Sequence, residues 1–202
     1  MNLLREYIRE LLTEAAGAPD NLPDDVYVRV RKGAANFEIF YSDVEGNQLG
    51  TGLGTLPVSG YVNIMAPGSS GYPCSGAWVV VGSGANHGWG PLLYDVAMEV
   101  VGSTGLIADR QSLSKDAFNV WQVYMSRGDV QKKQLDTLDN ELTPDDADNC
   151  GTETARQFDD AFDAYRDDMK KKALADSPVM KVYTKGPTTI QKLESMGRLI
   201  RK

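Results

Sequence analysis

"GAWVVVGSGANHGWGPLLYDVAMEVV", residues 76 to 101, decides the fold. In its front half Ala77 to Val81 is continuously apolar. A strand covered on both faces reads this way, whereas a half-exposed strand alternates. The back half is amphipathic and is expected to be helical from about Pro91 to Val101. Between them lie the chain's one histidine, His87, the glycines Gly88 and Gly90, and Pro91. Glycine lets a backbone turn sharply and approach a ligand closely. Proline suits the first helical turn, where its missing N–H breaks no helical bond. The amides that open a helix are unpaired and sit at the positive end of its dipole, so this turn suits an anion such as a pyrophosphate, or serves as a tight structural turn.

The same reading extends to both sides. "TGLIAD" (104–109) is a second short buried strand, and "SLSKDAFNVWQVYMSR" (112–127) a helix capped by Ser114 with Phe118, Trp121 and Met125 on one face. The middle of the chain is therefore strand, glycine loop, helix, strand, helix. Its two strands are expected to pair in parallel through a right-handed crossover. Upstream, "VYVRVR" (26–31), "NFEIFYS" (36–42) and "SGYVNIMAP" (59–67) alternate between turn formers and predict an antiparallel meander. Downstream, 128–150 is acidic and weakly periodic, an expected surface segment. Residues 152–176 predict a helix with a Phe158, Phe162 and Tyr165 stripe, 178–185 a last strand, and "TTIQKLESMGRLI" (188–200) a last short helix.

The expected class is α/β (or α+β): a mixed twisted sheet, the meander leading into the strand–loop–helix–strand–helix core. An amphipathic leader helix (1–18) precedes a single α/β domain (24–202), with its core at 60–127 and a largely helical extension at 128–202. The leader's apolar residues Leu3, Leu4, Tyr7, Ile8, Leu11 and Leu12 recur at helical spacing. A secretory signal has a continuous apolar block instead.

At 202 residues and a net charge of -7, the chain can build a full core but lacks the basic face that phosphate-backbone binding requires. No apolar run approaches the roughly 20 residues of a membrane span. Cys74 and Cys150 have no metal-ligand spacing, and one histidine cannot complete a Cys/His zinc site. A cytoplasmic protein with two reduced thiols is expected, a Cys74–Cys150 disulfide being the alternative. "GSGANHG" is not a P-loop, no G-x-S-x-G nucleophile elbow occurs, and "TPDDADN" lacks the glycine and terminal glutamate of a calcium loop.

Three polar positions stand out. His87 can act as a general base or hydrogen-bond within its loop. Asp109 and Arg110 end a buried strand, where ligands bind in open α/β sheets; Asp109 can orient or deprotonate an amine and Arg110 can meet a phosphate, or the two pair with each other.

The strand–loop–helix–strand–helix order, with Ala85-Asn86-His87-Gly88-Trp89-Gly90 at its turn, resembles the acetyl-CoA-binding core of the GNAT acyltransferase superfamily. There the loop reads Q/R-x-x-G-x-G/A; both glycine positions match, and the leading position is Ala85. The resemblance covers roughly 60–127. It implies acetyl-CoA held at Gly88, Trp89 and Gly90, with Val80 and Gly82 on the preceding strand and Arg110 beyond the next. It also implies a tyrosine that protonates the departing thiolate. "LIADRQSLSKDAFNVWQVY" resembles the phage-encoded variant of the following segment: Ala117 matches, Trp121 stands at the tyrosine's position, and Tyr124 is the substitute one turn later. With His87 and Asp109, read from the residues themselves, Tyr124 completes the expected catalytic set; a histidine base would be unusual for that family.

The opening "LREYIRELLTEA" (4–15) is similar to leaders of marine tailed-phage proteins and to capsid-targeting leaders of internal head proteins. Two functions follow as expectations. One is an N-acyltransferase moving an acetyl group from acetyl-CoA to a small-molecule or peptide amine in the host cytoplasm. The other is a non-catalytic virion or head-associated protein that binds a phage head or scaffold protein through residues 1–16. Membrane and nucleic-acid partners are not expected.

Overall fold

The computed structural model describes residues 17–50, 58–67, 76–86, 88–109, 113–134 and 176–202. The expected leader helix, the helix over 152–176, Cys74, Cys150, His87 and Arg110 lie outside them. Along the chain run β1 (Tyr27–Lys32), β2 (Asn36–Ser42), β3 (Gly60–Met65), β4 (Trp78–Ala85), α1 (Gly90–Val101), β5 (Leu106–Ile107), α2 (Lys115–Ser126), β6 (Val130–Gln134), β7 (Lys181–Lys185), α3 (Thr188–Ser195) and β8 (Leu199–Arg201). The protein is thus mixed α/β, and its strands pair both in parallel and antiparallel. It divides into two compact units: Met1–Ile64 with Gly82–Val100 and Pro187–Lys202, and Met65–Val81 with Val101–Gly186.

In the first unit the strand order is β3-β2-β1-β8. β1 and β2 form an antiparallel hairpin from Tyr27↔Ser42 to Lys32↔Phe37, closed by Gly33 N–H on Asn36 O at 2.8 Å. Val28 and Val30 face Tyr41 and Ile39 across the pair and all four are buried, but the alternating sequence is covered on its other face as well, where Arg29 pairs with Phe40 and both are buried.

β8 is a correction. The last helix, expected over 188–200, stops at Ser195, and Leu199 to Arg201 pair in parallel with β1. Gly197, at φ +68, ends α3. Arg198 N–H reaches Leu193 O at 2.8 Å and Gly197 N–H reaches Glu194 O at 3.0 Å, the paired bonds of a Schellman stop. The chain then leaves extended.

The start of α3 is held from outside. Pro187 supplies no side-chain cap. Glu99, buried near the end of α1, accepts Thr189 N–H on Oε1 at 2.9 Å and Ile190 N–H on Oε2 at 2.7 Å. Asp95, one turn earlier, accepts the Thr189 hydroxyl at 3.4 Å. A carboxylate at a helix N-terminus satisfies orphan donors and complements the dipole.

In the second unit the order is β6-β7-β5-β4. β4 and β5 pair in parallel, as expected of the crossover, through Trp78↔Leu106 and Val79↔Ile107. Ala77, Val79, Ile107 and Val182 form one apolar cluster. The expectation that Ala77 to Val81 is covered throughout needs correcting at its end: Val81 is 41% exposed. Gly105, at φ +80, allows the approach to β7, because a Cβ there would lie 2.3 Å from Val182 Cγ1. Ser114 caps α2 as read, accepting Ala117 N–H at 3.2 Å. Trp121 stacks at 4.9 Å on Tyr183, whose hydroxyl donates to Pro178 O at 2.5 Å.

β6 is the second correction. The surface segment expected from residue 128 begins as a strand that pairs antiparallel with β7 over its whole length. Val130 and Gln134 point inward, and Gln134 is satisfied by Met180 O at 3.2 Å and Lys181 Nζ at 2.5 Å. One apolar residue in five hides a period-two signal.

Replacing Glu99 by Ala removes both capping bonds and leaves two helix amides unpaired. It is expected to cost roughly 2–4 kcal/mol, with Glu99→Gln milder. A lower urea midpoint at unchanged m-value would register this; an unchanged midpoint would mean that α3 does not depend on the cap.

Candidate functional site

The turn between β4 and α1 is shaped from within. Asn86 N–H donates to Ser59 O at 3.0 Å, and Trp89 N–H folds back to Asn86 O at 3.0 Å. Gly88 takes φ +87, a conformation that L side chains resist, so this glycine is required by the turn. Trp89 is buried, its ring edge-on to Tyr41 at 5.9 Å, and its carbonyl accepts the Tyr41 hydroxyl at 2.7 Å. Gly90 is not held small by its packing: a Cβ there would make only an ordinary contact, with Ala85 Cβ at 3.7 Å.

The head of α1 faces Gly17. That residue is buried, and a Cβ on it would lie 2.7 Å from Gly88 O and 3.7 Å from Leu92 N. With the Trp89 amide committed and Pro91 lacking one, the amides of Gly88, Gly90 and Leu92 are those an anion would use. The first turn of α1 carries no acidic residue.

Of the other expected site residues, Val80 is buried on β4 and Gly82 is half-buried, a Cβ there lying 3.8 Å from Tyr61 Cε2. Asp109 follows β5 and is half-buried. Tyr124 is fully buried, its ring beside Trp121 at 6.2 Å and Tyr183 at 6.4 Å. The first unit thus brings Gly88, Trp89 and Gly90 together, with Gly82 on the strand that feeds them; Val80, Asp109 and Tyr124 belong to the second unit.

Sequence reasoning missed what surrounds the turn. Tyr94, on the second turn of α1, shares a 2.9 Å hydrogen bond with Ser83 Oγ on β4. Burial raises its phenol pKa, with the Ser83 bond opposing. Burial also lifts Tyr41 well above the ordinary phenol range, and the negative charge of Asp95 adds to this. Ser59 Oγ is sealed without a hydrogen-bond partner. Tyr41 had one legible sign, since it ends the inward-facing set of an alternating strand; the Ser83–Tyr94 pair had none.

Among the described residues no cluster of three or more His, Cys, Asp or Glu could hold a metal ion, and no helix is long and apolar enough to cross a membrane.

Gly88→Ala is expected to cost roughly 1–2 kcal/mol by urea unfolding, because it forces a Cβ into positive φ. Gly90→Ala should stay within about 0.5 kcal/mol. Equal costs at the two positions would contradict the turn geometry.

Tyr41, Tyr94 and Tyr183 make a pH prediction. Their folded pKa values lie above the unfolded value of about 10, so the native state holds more protons than the unfolded chain above that pH. The stability they contribute is complete below about pH 10 and is lost as pH rises beyond it. Their tyrosinate absorbance should therefore appear together with loss of near-UV circular dichroism. Ionisation of all nine tyrosines with the fold intact would refute their burial.

The chain matches no protein-family model, no curated protein and no solved structure.

Proposed function

We propose that this chain binds acetyl-CoA at the Gly88–Gly90 turn and transfers its acetyl group to an amine, as the resemblance to GNAT acyltransferases implies. The observation that carries the reading is the pairing of β4 with β5 in parallel, the two strands being joined through a positive-φ glycine turn and a helix. The turn suits a pyrophosphate in part. Gly90 leaves the head of α1 open to close approach, and no carboxylate of the first turn competes for its amides.

In this reading the amine nitrogen attacks the thioester carbonyl, the N–C bond forms, the C–S bond breaks and the thiolate takes up a proton. Holding the two reactants together supplies most of the acceleration. The resemblance implies Val80 and Gly82 beside the cofactor and Arg110 for a phosphate. Asp109 or His87 receives the amine's proton. Tyr124, the expected donor, is fully buried, so in this reading the thiolate takes its proton from solvent.

A second reading is favoured by the way the turn satisfies itself. Trp89 N–H is bonded to Asn86 O, Pro91 offers no donor, and Gly17 packs against Gly88 O. A protein that keeps the turn for structure alone, and binds a phage head or scaffold partner through residues 1–16, has this arrangement.

Calorimetric titration with acetyl-CoA, and with free CoA for comparison, separates the two. Micromolar binding that is lost in Gly90→Trp while the far-UV spectrum is unchanged supports the acyltransferase. No heat at millimolar acetyl-CoA overturns it and leaves the partner-binding reading.

A further inference from the structure

Arg29 sits in the middle of β1 and is only 8% exposed. Its Nε donates to Ser42 Oγ at 2.6 Å, and Ser42 Oγ passes the bond on to Asp43 O at 3.1 Å. No carboxylate among the described residues pairs with it. The nearby Asp43 carboxylate is taken by Gly46 N–H at 2.7 Å, Asn47 N–H at 2.8 Å and Asn47 Nδ2 at 2.7 Å. Arg31, on the same face, is already neutralised by Glu38 at 2.9 Å.

The guanidinium lies flat against the 43–47 turn. A Cβ built on Gly46 would stand 3.0 Å from Arg29 Cζ, 3.0 Å from Nη2 and 3.3 Å from Nη1. Near-equal distances to three atoms of a plane place that point above the plane, not at its edge. Gly46, at φ +95, therefore makes room for the group by having no side chain. The fork's Nη atoms are not among the described side-chain atoms sealed from water without a partner.

A charge taken out of water is costly unless paired, and a guanidinium presents a planar fork that matches an oxyanion in a bidentate way. We infer that Arg29, held by Ser42 and backed by Gly46, is a binding site for an anionic group of the carboxylate or phosphoryl class. The site is built from β1, β2 and the 43–47 turn, and it does not depend on the acyltransferase reading.

The test is thermal unfolding of the full chain at constant ionic strength, with chloride replaced stepwise by inorganic phosphate in one series and by acetate in another. Wild-type protein should gain about 3–6 °C at tenfold excess over Kd in the series whose anion fits. Arg29→Met should lose that gain, and Arg29→Lys should keep less than half of it, having charge without the fork. If Arg29→Met does not fold, Ser42→Ala provides the comparison and should weaken binding several-fold by freeing Nε. A gain in phosphate alone identifies a phosphoryl site, and one in acetate a carboxylate site. Equal gains in wild type and the variants, or no gain in wild type, would overturn the inference and leave Arg29 as a solvated packing residue.

Discussion

The Glu99 carboxylate holds the C-terminal segment in place. An eight-residue helix is too short to be stable by itself, and Pro187 gives α3 no cap of its own. Both oxygens of Glu99 are spent on its first amides, so α3 exists where α1 puts it. The Schellman stop at Gly197 then aims the chain at β1, where Val28 N–H takes Arg198 O at 2.9 Å and Lys202 N–H takes Val30 O at 3.0 Å. Arg198 fixes the same corner by donating to Asp24 Oδ1 at 2.6 Å and to the carbonyls of Pro23 and Asp24. A strand that would otherwise fray is thus held at both ends.

The two helix N-termini of this unit are treated differently, and the contrast bears on function. Each presents unpaired amides and partial positive charge. That of α3 is filled by a carboxylate of the protein's own. Among the described residues, that of α1 has no acidic residue in its first turn, and the backbone of Gly17 lies close to it. Supplying an internal anion to one helix and withholding it from the other is what an external anion at α1 would require. The partly self-satisfied turn limits how many amides such an anion can take.

Much of the fold was legible because its signals are local. The alternating runs of β1, β2 and β3, the apolar block of β4, the Ser114 cap and the glycine-proline entry to α1 each mark a structure by residues within a few positions. The parallel pairing of β4 with β5 followed from the helix between them. What escaped reading depends on distant partners. Val130-Gln-Lys-Lys-Gln is a strand because β7 lies beside it, and Gln134 can be buried only because Met180 and Lys181 satisfy it. Leu199 to Arg201 have no feature that separates a helix end from a strand; the left-handed Gly197 decides. For the candidate site, the glycine turn was visible, but the Tyr41 bond to Trp89 and the Ser83–Tyr94 bond join residues from separate elements.

The burial of Tyr124 constrains any acyl-transfer chemistry. A phenol that protonates a departing thiolate must reach it, yet this one lies sealed beside Trp121 and Tyr183. Indole cannot take over, because its N–H does not ionise in the range where a thiolate needs a proton. A thiolate is, however, a good leaving group, and its protonation is the lesser part of aminolysis. The demanding requirements are a neutral amine and its alignment with the thioester carbonyl, and effective concentration meets the second without any acid. An enzyme built this way would rely on alignment of its reactants and not on a buried phenol. The Trp121–Tyr124–Tyr183 stack would then act as the rigid wall of α2 and β7, not as chemistry.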